Sequence, residues 1–315
     1  MDARPAAADA KVTAVVVTYR SADIVGACLR SLDAAAPVTR LRAVVVDNAS
    51  DDGTVDVVRE TAAAVTTPVE LKERPANDGF SVGCNVGLRR ASGEWVLFLN
   101  PDAVLRPGVV DALVDVARAN PSAAIVAPAL VGSDGALQPT VERVYGLRRI
   151  VLGLFRVGGP NRAAVPPDGG EPIEVEWVHA AVILMPLAVA RALGGFDERY
   201  FLYAEDMDLC TRARRAGHLV LLAPAIRVDH VGGASAARSG GDGPMAARRV
   251  DGFARYLRAH EGRAAAVAYL LVTLVSAAVM AAAGAVRRRP SAVHRAMVRA
   301  AALGLVGRRP AEVPW

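Results

Sequence analysis

Carboxylate side chains are concentrated in one segment of the chain, residues 194–217, where they lie among aromatic residues. The acids are Asp197, Glu198, Glu205, Asp206 and Asp208. An apolar setting raises the pKa of a carboxyl group toward the range in which it can act as a general base. The start of a helix also favours acids through its dipole, which explains Asp206 and Asp208 but not the aromatic surround. The segment therefore predicts a catalytic base, with a plain helix start as the alternative.

Two further side chains are candidate ligands of a divalent cation. Asp102 ends an apolar run and follows Pro101, so its carboxylate is expected to point outward, where it can ligate a cation on a diphosphate. The same Asn-Pro-Asp triplet also occurs in ordinary turns. His230 follows another apolar run and precedes two glycines, and it is either a structural histidine or a ligand.

Asp47 and the glycine-rich stretch 77–87 are candidate nucleotide contacts. Asp47 ends a strand-like run, where it can accept the imide hydrogen of a uracil or thymine, or can simply begin the turn that follows. Backbone amides of the glycine-rich stretch, which opens a helix, can approach a diphosphate or a sugar. The stretch does not fit GxGxxG, and the sequence has no GxxxxGK[ST] motif. A nicotinamide-dependent dehydrogenase and a P-loop enzyme are therefore disfavoured.

Alternating strand-like and helix-like segments must position these side chains. Short β-branched runs at residues 12–19, 42–48, 95–102 and 124–131 alternate with helix-period stretches at 21–35, 54–64, 82–91 and 107–119. This order predicts an α/β fold with a largely parallel sheet and covering helices. Ligands bind beyond the carboxyl ends of such strands, which is where Thr18 and Tyr19, Asp47, and Asn100 with Asp102 fall.

A second block of elements follows a segment that is poor in pattern. Residues 145–172 hold several glycines and prolines and are predicted to form a mobile loop. Strands are then predicted at residues 173–178, 182–185 and 218–223, and helices at 187–193 and 209–216. The acidic segment is thus expected immediately before a helix, and His230 beyond a strand.

The net charge of +5 is divided unevenly along the chain. Residues 238–315 carry thirteen arginines and four acids, a net charge of +9, which leaves −4 on residues 1–237. The basic charge belongs to the tail, so nucleic-acid binding by the body of the protein is disfavoured. Three distant cysteines without CxxC spacing argue against a disulfide framework and a zinc site, and fit reduced thiols in the cytosol. Residues 1–10 show no signal-peptide pattern, so export of the body by that route is not expected.

The tail is predicted to associate with a membrane. Residues 264–286 carry no charge over 23 positions, a length that can cross a hydrocarbon core of about 30 Å. Ten of these residues are alanine, and three arginines, 287–289, follow them. The segment either spans the bilayer, lies in its surface, or forms a hairpin with residues 291–306. The hairpin would keep the arginines that flank both ends of the segment on the cytoplasmic face.

Six segments between residues 12 and 235 form a specific pattern when they are taken together. They are VVVTYR (15–20), VVVDNASDDGT (44–54), NDGFSVGCNVGL (77–88), FLNPDA (98–103), GGFDERYFLYAEDMDLCTR (194–212) and PAIRVDHVGGAS (224–235). In this order they resemble the family 2 glycosyltransferases of GT-A fold, and within them the bacterial rhamnosyltransferase-like group that builds cell-wall and O-antigen linkages. The resemblance implies a Rossmann-like mixed α/β sheet with covering helices, here followed by a C-terminal helical, membrane-associating segment.

The resemblance implies inverting, metal-dependent transfer of a sugar from a dTDP- or UDP-linked donor to a hydroxyl of a lipid-linked or cell-envelope glycan, with rhamnose as the favoured sugar. Asp206 would be the general base, with Glu205 beside it, and Asp102 and His230 would hold Mg²⁺ or Mn²⁺. The residues that would bind the nucleotide are Thr18, Tyr19, Asp47, Asn77, Gly79, Asn85 and Asn100. Those that would line the acceptor or donor pocket are Trp177, His179, Asp197 and Tyr203.

Several positions depart from the pattern of the family. Arg20 stands where the family usually has asparagine, and Asn100 replaces the first acid of the DxD motif, which leaves Asp102 to carry the metal. His179 with Ala180 replaces an expected Ser-Gly pair, and residues 186–187 replace an Arg-Arg pair. The sugar pocket is therefore expected to differ.

The expected domain organisation places a catalytic domain at residues 1–235, a linker and basic helix at 236–263, and membrane-associating helices with a basic tail at 264–315. The protein is expected at the cytoplasmic face of the cell membrane, beside a lipid-linked acceptor and anionic lipid, and without a nucleic-acid partner. Two alternatives stay open: a polyprenyl-phosphate glycosyltransferase, whose phosphate acceptor needs no base, and a non-catalytic membrane-bound relative.

Overall fold

The computed structural model describes residues 10–142, 146, 167–232, 241–286 and 292–310. The chain divides into two compact units. The sheet unit comprises Met1–Arg143, Arg162–Asp197 and Leu209–Gly232, and the helical unit comprises Val144–Asn161, Glu198–Asp208 and Gly233–Trp315. Most of the predicted loop at residues 145–172 lies outside the described residues.

The sheet unit is built on a nine-stranded mixed sheet within the described part of the chain, with a two-stranded sheet beside it. The strands are β1 (Val12–Thr18), β2 (Leu41–Asp47), β3 (Val69–Glu73), β4 (Trp95–Leu99), β5 (Ala103–Leu105), β6 (Ala123–Val131), β7 (Val141–Glu142), β8 (Ile173–Glu174), β9 (Trp177–Val178), β10 (Val182–Pro186) and β11 (Leu219–His230). Strands β1, β4 and β6 are buried at every position, as expected for β-branched runs covered on both faces.

The strand order is β3-β2-β1-β4-β10-β6-β11-β5, with β8 paired to β11. Strands β3, β2, β1 and β4 run parallel, whereas β10 is antiparallel to both β4 and β6. The predicted mixed sheet is confirmed, because β10 is antiparallel to its neighbours and β5 and β8 are antiparallel to β11.

Among the described residues, five helices belong wholly to the sheet unit, and a sixth has residues in both units. They are α1 (Val25–Ala35), α2 (Thr54–Ala64), α3 (Phe80–Arg90), α4 (Val109–Ala119), α5 (Leu187–Ala192) and α6 (Glu205–Arg215). Two glycines of α3 serve close packing on β1, because a methyl group at Gly87 would lie 2.2 Å from Val15 and one at Gly83 would lie 2.6 Å from Val17. Close helix–strand packing thus accounts for part of the glycine-rich stretch.

Several predicted boundaries differ from the structure. Helix α1 begins at Val25, not at 21, and strand β4 ends at Leu99, not at 102. The strand predicted at residues 173–178 is two short strands, β8 and β9, which belong to different sheets. Strand β11 does not end near residue 223 but continues to His230, and helix α6 begins at Glu205, not at 209. The edge strand β3 was not predicted, because its sequence VELKE is charged and partly exposed.

The described part of the helical unit contains three long helices, α7 (Asp242–His260), α8 (Arg263–Val286) and α9 (Ala292–Leu305). They pack through small residues, with Leu270 of α8 in one cluster with Val250 and Ala254 of α7 and Ala300 and Ala301 of α9. Among the described residues, one stretch, Arg263–Gly284, is long and apolar enough to cross a membrane. Of its most apolar 18 residues, 28% are buried. The predicted apolar C-terminal helix is confirmed.

Candidate active site

Strand pairing brings Asp102 and His230 together. Strand β11 ends at His230 and pairs antiparallel with β5, whose first residue, Ala103, lies opposite the histidine. Asp102, directly before Ala103, is thereby held beside the ring, and its Oδ1 lies 3.3 Å from Nε2 of His230. The side chains are 3% and 13% exposed, respectively. Two residues far apart in sequence therefore form one buried pair.

Gln138 sets the tautomer of His230. Its amide Nε2 donates a hydrogen bond to the backbone oxygen of His230 at 2.8 Å, so its Oε1 faces Nδ1 of the ring, also at 2.8 Å. An amide oxygen can only accept, and this network therefore assigns the proton to Nδ1. In the neutral ring, Nε2 then presents a lone pair toward Asp102. No local motif pointed to Gln138, which is 92 residues from His230.

When the His230 ring is neutral, the facing atoms of this pair are both acceptors. Oδ1 of Asp102 and Nε2 of His230 are buried and make no hydrogen bond in the described structure. With a neutral ring, two unsatisfied acceptors at this distance are unfavourable unless a proton or a metal ion lies between them. Among the described residues, no group of three His, Cys, Asp or Glu side chains is arranged to hold a metal. The pair can supply two ligands for Mg²⁺ or Mn²⁺, and phosphate oxygens and water normally supply the others.

Asp47 and Thr18 lie at the carboxyl ends of adjacent parallel strands and bind each other. The carboxylate of Asp47 accepts hydrogen bonds from the Thr18 hydroxyl at 2.8 Å, the Ser50 hydroxyl at 2.6 Å and the Ser50 amide at 2.8 Å. Asp47 and Thr18 are both buried. The geometry favours the alternative in which Asp47 begins the turn, and their contact with a nucleotide stays a prediction.

The other predicted nucleotide contacts differ in how far they are already occupied. Asn77 accepts a hydrogen bond from the amide of Gly79, which directly precedes α3 and has a positive φ of 99°. The amide of Asn85 is committed to the backbone of Phe196, to which it donates at 2.7 Å and from which it accepts at 2.9 Å. Asn85 thus anchors the start of the acidic segment, and this geometry does not favour its predicted role.

Tyr19 and Asn100 remain accessible candidates beside the strand ends, since both are partly exposed. Arg20, the departure from the family pattern, adopts a left-handed conformation with φ of 51°. Its guanidinium pairs with Asp51 and lies 5.4 Å from the centre of the Tyr19 ring. Hydrogen bonding to Asp51 raises the pKa of Arg20, and the ion pair holds this cation next to Tyr19.

Trp177 and His179 form a stacked pair. Their ring centres are 5.1 Å apart and their planes are 7° from parallel. Trp177 is buried and its Nε1 makes no hydrogen bond in the described structure, whereas His179 is partly exposed. The departure from the expected Ser-Gly pair therefore puts a second ring on the tryptophan face.

The acidic segment enters helix α6 through a strained turn. Tyr203 and Ala204 have φ values of 76° and 68°, and Glu205, Asp206 and Asp208 follow in the first turn of the helix. Strain of this kind at residues other than glycine is concentrated at functional sites. Glu205 is buried, and its Oε2 makes no hydrogen bond in the described structure. Burial, and after it the charge of Asp206, raises the pKa of Glu205 well above 4.5.

The raised pKa of Glu205 predicts a specific pH dependence of stability. Above pH 4.5 the unfolded chain loses the proton of Glu205, whereas the folded chain keeps it. The contribution of Glu205 to the free energy of unfolding therefore falls as the pH rises from 4.5 through the folded pKa. Glu205→Gln mimics the protonated acid and is expected to melt at a higher temperature than the parent at pH 8 and at a similar one at pH 4.5. Thermal melts across this range check it. A melting difference that does not change with pH would contradict it.

Within the helical unit, helix α7 holds the acidic segment in place. The guanidinium of Arg249 lies 4.8 Å from the centre of the Tyr203 ring. A methyl group at Gly252 would lie 2.5 Å from the backbone oxygen of Tyr203, so the α7 backbone packs directly on the strained turn. Nε2 of His260, at the end of α7, lies 2.7 Å from Oδ1 of Asp208, and both side chains are buried. Residues of the tail thus position the acids.

The predicted site residues fall into two groups, one in each unit. The sheet unit holds Thr18, Tyr19, Asp47, Asn77, Gly79, Asn85, Asn100, Asp102, Trp177, His179, Asp197 and His230, and the helical unit holds Tyr203, Glu205 and Asp206. Sequence patterns missed Gln138, Arg249 and His260. Each of them acts on a residue at least 46 positions away, which no local spacing can reveal.

Comparison with known proteins identifies the family of the chain. The sequence model of the family "Glycosyl transferase family 2" matches residues 13–163. The chain is 34% identical over 236 residues to the N-acetylglucosaminyl-diphospho-decaprenol L-rhamnosyltransferase of Mycobacterium tuberculosis (strain ATCC 25618 / H37Rv), covering 69% of this chain and 74% of that one. It is 28% identical over 147 residues to the rhamnosyltransferase WbbL of Escherichia coli (strain K12), covering 45% and 54%.

Solved structures share the fold. A mannosyltransferase from Pyrobaculum calidifontis, in complex with GDP-Man and Mn²⁺, has a TM-score of 0.56 at 22% identity, covering 94% of this chain and 87% of that one. Residues 1–349 of TarS from S. aureus, in complex with UDP, have a TM-score of 0.55 at 15% identity, covering 95% and 92%. The mixed sheet with its covering helices is thus the GT-A fold, and the chain belongs to the family 2 glycosyltransferases, within its rhamnosyltransferase-like group.

Proposed function

We propose that this glycosyltransferase transfers a sugar, with inversion and with the help of a divalent metal ion, from a nucleotide-diphosphate sugar to a hydroxyl of a lipid-linked glycan. The favoured donor is dTDP-rhamnose, because the Mycobacterium tuberculosis relative is named for L-rhamnose and for N-acetylglucosaminyl-diphospho-decaprenol. The observation that carries the proposal is the buried pair of facing acceptors, Asp102 and His230.

Asp102 and His230 would hold the metal ion in this reaction. A carboxylate oxygen and an imidazole nitrogen, both buried and both without a hydrogen bond, fit Mg²⁺ or Mn²⁺ that is otherwise bound by diphosphate oxygens. When bound, such an ion offsets the negative charge that develops on the leaving diphosphate. Gln138 keeps the histidine in the tautomer that can bind it.

Asp206 is the proposed general base. It is partly exposed in the first turn of α6, whereas its neighbour Glu205 is buried with a raised pKa. Two adjacent carboxyl groups with different environments can divide their roles, the buried one staying protonated and the accessible one accepting a proton. Asp206 would take the proton of the acceptor hydroxyl as its oxygen attacks the anomeric carbon.

We propose, together with a lipid-linked acceptor, that the enzyme acts at the cytoplasmic face of the cell membrane. The apolar helix α8 and the net charge of +9 on residues 238–315 support attachment to anionic lipid there. The body of the protein carries −4, which attracts a divalent cation more readily than a nucleic acid.

Substitution of Gln138 tests the assignment of the metal ligands. Gln138→Leu removes the hydrogen bonds that orient His230, and the affinity for Mn²⁺ in the presence of dTDP is expected to fall by about 10- to 100-fold. Ser133→Ala, at an exposed position five residues earlier, leaves Gln138 unchanged and is the control, which should bind Mn²⁺ like the parent. Manganese titration followed by electron paramagnetic resonance measures both. Unchanged affinity in the leucine variant would remove His230 from the proposed ligands.

Calorimetry with dTDP and UDP, each with and without Mn²⁺, separates the enzyme from a non-catalytic relative. Metal-dependent binding of one nucleotide is expected. Absence of binding under every condition would reject the proposed donor site. The polyprenyl-phosphate alternative differs at the base, because a phosphate acceptor is already ionised and needs none.

A further inference from the structure

Helix α8 exposes an apolar stripe that no other part of the described structure covers. Nine large apolar side chains are exposed among the described residues, and five of them lie on this one helix. The stripe consists of Val267, Leu271, Val275 and Val279, with Met280 beside it. The spacing of four residues puts the first four on one face of the helix. An exposed apolar surface that is concentrated in this way indicates an interaction site.

The opposite face of α8 is already occupied along the helix. Ala266, Leu270 and Ala277 are buried, and Leu270 packs into the cluster formed with α7 and α9. A methyl group at Gly304 of α9 would lie 3.0 Å from Leu270, so α9 packs closely against α8. Helix α8 is therefore one member of a three-helix bundle within the helical unit, with a buried and an exposed side.

The neighbours of α8 are too polar to enter a bilayer with it. Helix α7 carries exposed Arg249 and Arg258, and helix α9 carries exposed Arg295 and Arg299. If α8 crossed the membrane with its packing intact, these arginines would enter the hydrocarbon, where ionised side chains are strongly disfavoured. Crossing alone would instead expose the apolar cluster on α7 and α9.

The charges at the two ends of α8 also favour one side of the membrane. Arg263 is exposed at the first position of the helix, and residues 287–289, which follow the helix in sequence, are all arginine. A spanning helix has to leave the charge at its two ends on opposite sides of the membrane. A helix that lies flat can place both ends against anionic headgroups of one leaflet.

We propose that α8 lies in the plane of an anionic membrane, with the stripe Val267, Leu271, Val275 and Val279 inserted into one leaflet, and does not cross the bilayer. The occupant of the stripe is lipid. The inference rests on the proposed function only in that a lipid-linked acceptor requires the enzyme at a membrane. It also gives the helical unit two sides, one for lipid on α8 and one for the acidic segment on α7.

Vesicle binding by the full chain tests the surface. Sedimentation with vesicles of equimolar phosphatidylcholine and phosphatidylglycerol is expected to capture the parent, and vesicles of phosphatidylcholine alone are expected to capture less. Leu271→Glu combined with Val275→Glu is expected to weaken binding by about tenfold or more, because both side chains leave the apolar layer. Val38→Glu, at an 86% exposed valine of the sheet unit, is the matched control and should bind like the parent. Equal binding of the double variant, with helix content unchanged by circular dichroism, would overturn the proposal.

The depth of single labels distinguishes a flat helix from a spanning one. All three native cysteines are buried, so a thiol-reactive fluorophore reports on Val267→Cys, Val275→Cys or Val279→Cys in the folded chain. Quenching by lipids labelled at different depths should place all three probes at one shallow depth, and alkaline carbonate should release the protein. A depth that changes along the helix through the bilayer centre, or resistance to carbonate, would overturn the proposal.

These assays use vesicles without acceptor or nucleotide sugar. If the parent chain does not bind vesicles but still transfers sugar to a short-chain, water-soluble acceptor, this inference alone is rejected. Intact vesicle binding without transfer from any nucleotide sugar would reject the proposed function alone.

Discussion

Replacement of Asp206 by asparagine is expected to lower kcat for sugar transfer by about 10²- to 10⁴-fold, the usual contribution of a positioned general base. Asparagine has nearly the same shape but cannot accept the proton of the acceptor hydroxyl. Donor binding should be unchanged, because the proposed contacts to nucleotide and metal lie on other residues. The measurement is the initial rate of label transfer at saturating donor and acceptor, with nucleotide affinity measured in parallel by calorimetry.

The control for Asp206→Asn is Glu198→Gln, which removes one acid from an exposed position of the same segment. It should transfer sugar at nearly the parental rate. If Asp206→Asn also keeps a near-parental rate, the base-assisted mechanism is rejected, and the polyprenyl-phosphate alternative, in which the acceptor needs no base, becomes the better account.

Replacement of Asp102 by asparagine is expected to abolish the metal dependence of nucleotide binding and to lower transfer by about 10²- to 10⁴-fold. The basis is that a metal ion contributes several kcal/mol of charge stabilisation in reactions of this kind, and about 1.4 kcal/mol corresponds to tenfold in rate. Asp102 is the one carboxylate of the facing pair, and the neutral amide of asparagine is a poorer ligand for a hard cation. Nucleotide calorimetry at several Mn²⁺ concentrations measures the first effect.

The matched control for Asp102→Asn is Asp56→Asn, at an aspartate of α2 whose side chain is 76% exposed. Thermal melts should show that both variants remain folded. An Asp102→Asn protein that binds nucleotide with the parental response to Mn²⁺ would place the metal elsewhere.

Much of the sheet was predictable because burial on both faces leaves a simple record in the sequence. The runs that became β1, β2, β4 and β6 are short, apolar and β-branched, and helices with apolar periodicity separate them. The direction of a strand leaves no such record, so the antiparallel β10 could not be read from its sequence VILMP. Its direction follows from the packing of distant segments.

The candidate site was predictable where motifs report on strand ends and helix starts. Asp102 and His230 were candidate ligands from their positions after apolar runs, and the family resemblance assigned both to one metal ion. The pairing of β5 with β11 explains why they meet. Asp47 illustrates the limit, since its type and position fit both a base contact and a turn, and its three internal hydrogen bonds favour the turn. Gln138 and His260 were not predictable because they act on residues 92 and 52 positions away.

The roles of the C-terminal helices illustrate another limit of sequence patterns. Their composition predicted association with a membrane, and an uncharged stretch of 23 residues reads equally well as a spanning or a flat helix. Only the packing of α8 between α7 and α9 distinguishes a buried face from an exposed one. The close approach of α7 to Tyr203, through Gly252, was likewise invisible in the sequence.

Label transfer from nucleotide sugars to lipid tests the central claim most directly. Membranes containing the protein, or the purified chain with an N-acetylglucosaminyl-diphospho-lipid, would be incubated with a panel of radiolabelled dTDP- and UDP-sugars, with Mn²⁺ or with a chelator. One donor, with dTDP-rhamnose expected, should label the lipid fraction in the presence of the metal, and the chelator or Asp206→Asn should abolish the label. Absence of lipid labelling from every donor, or labelling that persists with the chelator and in the Asp206→Asn protein, would contradict the account.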